Sequence, residues 1–366
     1  MRRFVFALLI AAVPMAAAAR QARSAPDTAP IPPDAQPPAA RVVSISILYS
    51  FGSIPKNLQT MDLWFSMPLE DDTQKIQNKF SYSPYPSRFS QDPLTGNNYM
   101  YMEGGPRGGV PMQVRLSFDA QRIESRMAPS AVAAAKTETS APPVPASMSR
   151  WLGAVAGAPL DEALTSRAGG VVAGKRNTWE KARAIYDHII ANIHDSEHPE
   201  LPTEAAGGGN VAATLKSQRG TSVDMAAAFV ALCRAAGIPA RTVIGFKLPQ
   251  RMRQGMIAGH HGWAEFWLEG SGWVPVDPAE GKRNAARRDY YFGSLDADRL
   301  AITRDRDLTL VPPQKGTPLN FFIGVYWEGN RQAMPEPPMQ VEFTELDMVP
   351  APNTIPLAPR APRPQG

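Results

Sequence analysis

Strict alternation of apolar and polar side chains opens the interpretable part of the chain. Val43, Ile45, Ile47, Tyr49 and Phe51 fall on one face and Ser44, Ser46 and Ser50 on the other, a period of two that only a half-buried strand uses. The pattern recurs at Leu63, Phe65, Met67 and Leu69, around Tyr99 and Tyr101, and at Met112, Val114, Leu116 and Phe118 against Gln113, Arg115 and Ser117. Turn-rich spacers such as Pro93-Leu94-Thr95-Gly96-Asn97 separate the runs. These features predict a small antiparallel β-domain over 41–126. It holds no cluster of His, Cys or paired carboxylates that would suggest catalysis, so binding or packing is its expected role.

Beyond residue 150 the period changes. Asn177 stands three residues before Glu180, the spacing of a capping box, and Ala182, Ile185, Tyr186, Ile189 and Ile193 then form one stripe at helical spacing. A second helix is predicted from just after Gly220 to Ala236, with Met225, Phe229, Leu232 and Ala236 as its stripe; Gly237 stops it and Pro239 prevents a restart. Arg241 to Phe246, His261 to Leu268 and Trp273 to Pro278 read as short strands, the last two joined by the turn Glu269-Gly270-Ser271-Gly272.

Composition sets the borders. The chain has 366 residues, 43% of them hydrophobic, with 37 prolines: two cores are affordable, and much of the remainder is tether. Residues 20–40, 127–150 and 349–366 are rich in Pro, Ala, Ser or Thr and are expected to be a linker, a second linker and a tail. At the N-terminus, Met1-Arg2-Arg3, an apolar run to Ala19 and small residues at its end form a secretory signal over 1–19. Export to the periplasm or outside the cell is the expectation, with no membrane insertion once the signal is removed.

Charge and cysteine narrow the function classes. The formal +4 falls to +2 when Arg2 and Arg3 leave with the signal, and no basic block gathers, so nucleic acid is not an expected partner. The single cysteine, Cys233, forbids an intramolecular disulfide. No cofactor or metal is expected. His194 and His198 have metal-like spacing, but Pro199 follows and no further ligand is near, so both read as solvated. Gly207-Gly208-Gly209 lacks the Lys-Ser or Lys-Thr of a phosphate loop and reads as a flexible connection.

Candidate chemistry gathers at three residues. Ser222 lies in the first turn of the second helix, where unpaired N–H groups and the positive dipole end suit a nucleophile; a plain cap, by Thr221 or Ser222, suits the same place. His261 opens one strand and Asp277 closes its hairpin partner, the arrangement of a base and its orienting carboxylate. His260 competes with His261, and strand alternation sends one of the two inward.

The blocks Gly220-Thr221-Ser222-Val223-Asp224, Ala235-Ala236-Gly237-Ile238-Pro239-Ala240-Arg241, His261-Gly262-Trp263-Ala264-Glu265 and Gly272-Trp273-Val274-Pro275-Val276-Asp277-Pro278 resemble those of bacterial transglutaminase-like domains. The segments Arg288 to Gly293, Arg304 to Leu308 and Pro318 to Phe322 resemble the C-terminal blocks of exported members. The resemblance implies an α+β fold of the papain-like cysteine-protease type, helices packed on an antiparallel sheet, over 151–348. It also implies a Cys, His, Asp triad, with His261 and Asp277 at two of its positions. Ser222 stands where the family has its cysteine.

Cys233 does not replace that thiol, because 11 residues along one helix separate it from Ser222 by roughly 16 Å. Three functions follow as alternatives. The preferred one is a degenerate member that binds peptide or protein without acyl transfer. The others are a serine-dependent peptide or amide hydrolase using Ser222, His261 and Asp277, and a structural or adaptor protein acting through the β-domain.

Overall fold

The computed structural model describes residues 39–196, 208–250 and 252–347. The expected signal, most of the first linker, His198, Gly207 and the C-terminal tail lie outside the described residues.

The alternating runs become β1 (Ala40–Ser53), β2 (Met61–Met67), β5 (Asn98–Gly104) and β6 (Pro111–Ile123), with β3 (Gln74–Tyr82) and β4 (Ser87–Gln91) between them. β1 pairs antiparallel with β6, setting Ile45 opposite Phe118 and Ile47 opposite Leu116. Those side chains are buried with Leu63, Phe65, Met100 and Met102 of the facing sheet in one cluster, each contributing about 1.5–3 kcal/mol of apolar burial. Neither sheet is completed by N-terminal strands alone. β16 (Val325–Gly329) pairs with β2 and β18 (Met339–Glu345) with β1, so the two five-stranded sheets run β11-β18-β1-β6-β3 and β17-β16-β2-β5-β4. Here β11 is Gln254–Met256 and β17 is Gln332–Ala333.

Composition marks 127–150 as a linker, but it carries a helix, α1 (Pro129–Thr137), and the start of a 3-10 turn (Ala146–Leu152). The run Ala133-Ala134-Ala135 has the highest intrinsic helix propensity, and Ala135 is buried in the helical core. α2 (Glu162–Val171) and α3 (Thr178–Asn192) follow. Asn177 caps α3, accepting from Glu180 N at 2.8 Å, while the Glu180 carboxylate accepts from Arg176 N instead of closing a box onto Asn177. All five apolar residues of the predicted stripe are buried.

α5 (Ser222–Ala235) runs through the second core. Every residue from Ser222 to Arg234 is buried, so the helix is enclosed on all sides rather than along one stripe; its many alanines let neighbours approach from each direction. It packs on an antiparallel four-stranded sheet in the order β13-β12-β10-β15, made of β10 (Ala240–Lys247), β12 (His261–Leu268), β13 (Gly272–Val276) and β15 (Arg299–Arg304). Helices on an antiparallel sheet, joined to a β-rich N-terminal region, form the expected α+β architecture. Among the described residues no helix is long and apolar enough to cross a membrane.

Candidate functional site

Three local structures deliver the site. The first is the start of α5. Thr221, not Ser222, is the N-cap: its hydroxyl accepts from Asp224 N while Asp224 Oδ2 accepts from Thr221 N at 3.0 Å, a reciprocal box. Asp224 Oδ1 also accepts from Gly209 N at 2.8 Å, anchoring the preceding loop. Ser222 is therefore the first helical residue, fully buried, and its hydroxyl is not spent on capping.

The second is the start of β12. Gly262 N donates to Ser222 Oγ at 3.2 Å, which sets residue 222 against the residue next to His261. The approach is close enough that a Cβ at position 262 would meet Val223 Cα at 2.7 Å. Glycine is what lets the strand touch the helix here. His261 is buried and His260 exposed, as strand alternation requires.

The third is the end of the β12–β13 hairpin. The register sets Ala264 opposite Val276, so Asp277 comes level with Trp263 and reaches diagonally to His261 on the same face. His261 Nε2 lies 2.8 Å from Asp277 Oδ2. An ionised carboxylate only accepts, so Nε2 carries the proton and Nδ1 is the ring's basic nitrogen. Asp277 also caps the short helix α6 (Pro278–Arg283) through Oδ1, which accepts from Glu280 N at 3.0 Å.

Beneath this pair sits an ionic network that the sequence reading did not pick out. Arg299, fully buried at the start of β15, donates from Nε to Asp277 Oδ2 at 3.1 Å and from Nη1 to Asp296 Oδ1 at 3.0 Å; its Nη2 lies 3.4 Å from Glu280 Oε2. Lys247 Nζ holds the other oxygen of Glu280 at 2.6 Å. Burial alone would raise the Asp277 carboxyl, but His261, Arg299 and the hydrogen bonds to it hold it well below the usual carboxylate range. Burial likewise opposes the charge on Glu280, and Arg299 overcomes it, bringing the group down to about 2. A signal was present in the sequence: Arg299 follows Asp296 and Asp298 and leads straight into the apolar Leu300, Ala301 and Ile302, and a charge at the start of such a buried run needs partners.

The other sequence candidates fall elsewhere. Cys233 is buried on α5, and burial pushes its thiol well above the usual value. His194 stands in a two-residue strand paired with Arg219 and is exposed. Among the described residues no group of three or more His, Cys, Asp or Glu is arranged to hold a metal ion.

Residues 165–278, which contain all three candidate residues, match the family model of the transglutaminase-like superfamily. This chain carries a transglutaminase-like domain. Its fold is similar to that of a solved protein from Cytophaga hutchinsonii described as a putative cysteine protease, with a TM-score of 0.55 at 16% identity over 87% of this chain and 94% of that one. The periplasmic domain of TgpA from Pseudomonas aeruginosa matches with a TM-score of 0.33 at 17% identity, covering 68% of this chain and 91% of that one. An uncharacterized protein of Haemophilus influenzae is 30% identical over 190 residues, 43% of this chain. The chain spans half the length of that curated relative. The transglutaminase-like domain thus supplies the helix start, the strand and the hairpin end that hold residues 222, 261 and 277.

Proposed function

We propose that this protein is an exported transglutaminase-like domain protein that has given up acyl transfer and binds peptide or protein segments. The observation that carries the reading is the state of Ser222. Its Oγ accepts a backbone hydrogen bond from Gly262, and residues 222, 261 and 277 are 0%, 2% and 0% exposed. With that N–H engaging its lone pair, the alcohol is a poorer nucleophile at this position than a thiol would be.

The chemistry points the same way. A thiol beside an imidazole at a helix start ionises before attack, whereas an alcohol must lose its proton during attack to a base of matched strength. The carboxylate that backs His261 is not the ring's alone, because Arg299 pairs with the same oxygen of Asp277. Losing a nucleophile or base of a triad costs on the order of 10⁴ to 10⁶ in rate. The test is hydrolysis of peptide and amide substrates. The native protein is expected to show none, and Ser222→Cys to gain partial activity. Native turnover that disappears in His261→Ala would overturn the reading.

A second reading rests on the intact His261–Asp277 contact. In it Ser222 attacks a peptide-type carbonyl, His261 Nδ1 takes the proton, and N–H groups at the start of α5 receive the oxyanion. Labelling of Ser222 in the folded protein by a fluorophosphonate probe supports it; an unlabelled Ser222 rejects it. Export itself is tested by N-terminal sequencing of the protein recovered from periplasm and medium, where the first residue is expected at or just after Arg20.

A further inference from the structure

The sheet β17-β16-β2-β5-β4 carries two rows of side chains on the face turned away from the sandwich core. Glu328 on β16 lies opposite Asp62 on β2, and Asp62 lies opposite Glu103 on β5. Two residues along, Tyr326 lies opposite Trp64 and Trp64 opposite Tyr101. A side-chain period of two puts both rows on one face. The 312–315 segment roofs them, tied down by Trp64 Nε1 donating to Pro312 O at 2.7 Å. A cleft of about 450 Å³ opens under that roof, with Asp62, Glu103, Glu328, Trp64 and Tyr101 in its walls.

Like charges directly opposite one another across strands destabilise a sheet, and here three stand in line. Tyr101 sharpens the conflict. Its single O–H lies 2.5 Å from Asp62 Oδ1 and 2.8 Å from Glu103 Oε2, so one carboxylate receives the proton and the other faces an oxygen lone pair. Glu328 is only 1% exposed. Its Oε1 accepts from Lys315 N and Gly316 N at 2.8 Å and from Tyr326 Oη at 2.9 Å.

The chain's own cations answer this charge only at the rim. The Arg88 guanidinium sits 4.5 Å from the Tyr101 ring centroid and 3.8 Å from Glu103, with its side chain 58% exposed. Lys315 and Arg331 also line the cleft, and neither side chain forms an ion pair with the three carboxylates. Carboxylates along one wall and aromatic faces along the next are the surroundings that ammonium and guanidinium groups favour. Arg88 over Tyr101 displays the pose. The geometry points to a binding site in this cleft, centred on Asp62, for a lysine or arginine side chain of a basic peptide. The site is separate from Ser222 and stands whether or not the acyl-transfer centre turns over.

The experiment uses the full mature chain and four blocked pentapeptides, Gly-Gly-X-Gly-Gly with X as Lys, Arg, norleucine or Glu, titrated by calorimetry at low salt. The Lys and Arg peptides are expected to bind and the norleucine and Glu peptides not to. Asp62→Asn is expected to weaken the Lys peptide about tenfold without lowering the melting temperature, since it relieves the cross-strand repulsion. A variant that merely damaged the fold would lower both. If Asp62→Asn does not fold, Glu103→Gln at the 61% exposed side chain carries the same comparison. Equal binding of the norleucine peptide, undiminished affinity in both variants, or no binding of the Lys and Arg peptides overturns the proposal.

Discussion

His261 and Arg299 converge on one atom: Asp277 Oδ2 lies 2.8 Å from the imidazole Nε2 and 3.1 Å from the guanidinium Nε. The carboxylate that orients the ring is thereby also a structural anion, locked to Asp296 and Glu280 through the same arginine. Two consequences follow from that sharing. The ring is held in one orientation, and the negative charge of the carboxylate is shared between ring and guanidinium.

Removing Arg299 takes the buried cation shared by Asp277, Asp296 and Glu280 out of their midst. Arg299→Gln is expected to cost about 3–5 kcal/mol of stability, the range for breaking a buried charge network by deleting one partner. Arg299→Lys keeps the charge but loses the planar fork that reaches Asp277 and Asp296 together, so it should fall between the two. Chemical denaturation of the three proteins measures this; an Arg299→Gln loss under 1 kcal/mol would show the network to be dispensable.

Acid should undo the same network. The carboxyls of Asp277 and Glu280 lie below their ordinary values in the fold, so the unfolded chain binds more protons as pH falls. Their stabilisation is fully present above about pH 4.5 and is lost as pH drops toward the folded value of about 2 for Glu280. The slope approaches about 1.4 kcal/mol per pH unit for each group. Burial raises Asp298 instead, which works in the opposite direction, so the informative comparison is native protein against Glu280→Gln. The variant's stability is expected to depend less steeply on pH between 4.5 and 2; identical slopes would contradict it.

Periodicity carried far in this chain because it reports local burial. β1, β6 and the stripe of α3 are legible from side-chain spacing, and the pairing of His261 with Asp277 is legible because a short turn fixes which strands meet. What escaped was set by distance or by chemistry without a period. The partnership of β1 with β18 joins Val43 to Glu345, and nothing local in either strand encodes the other. Alanine at 133–135 serves a linker and a helix equally well in composition, and only its contact with the helical core decides. Thr221 and Ser222 are adjacent hydroxyls with the same capping ability, separated only by where the chain enters the helix.

That last distinction is measurable. Thr221→Ala removes the acceptor for Asp224 N and is expected to cost about 1–2 kcal/mol. Ser222→Ala leaves the cap intact but takes the partner from Gly262 N in a dry site, also about 1–3 kcal/mol. Because the two act on different groups of one helix start, the double variant tests their coupling, and additivity within about 0.5 kcal/mol is expected only if the box and the Gly262 contact are independent.

Gly262→Ala probes the contact from the other side. The added methyl would stand 2.7 Å from a backbone carbon of Val223, and since no rotamer change moves a Cα, strand or helix must shift. Overpacking of this kind costs about 1–3 kcal/mol, and the shift should also lengthen the 3.2 Å hydrogen bond to Ser222. Thermal melts together with amide exchange at residue 262 report both effects. A stable variant with unchanged protection there would mean that helix and strand do not touch as described.

Thiol chemistry separates position 222 from the protein's natural cysteine. Cys233 is fully buried and its thiol is pushed well above the ordinary value, so at pH 8 it holds almost no thiolate and offers no approach to a reagent. The folded native protein is expected to resist a disulfide-exchange reagent and to react once only after denaturation. Ser222→Cys puts a second thiol at the first turn of α5 beside the His261–Asp277 pair, where the helix dipole favours thiolate. Reaction of that variant in the folded state, with the rate dropping in the presence of Asp277→Asn, would show that the site still activates sulfur; equal inertness of both thiols would show that burial at this position dominates over its electrostatics.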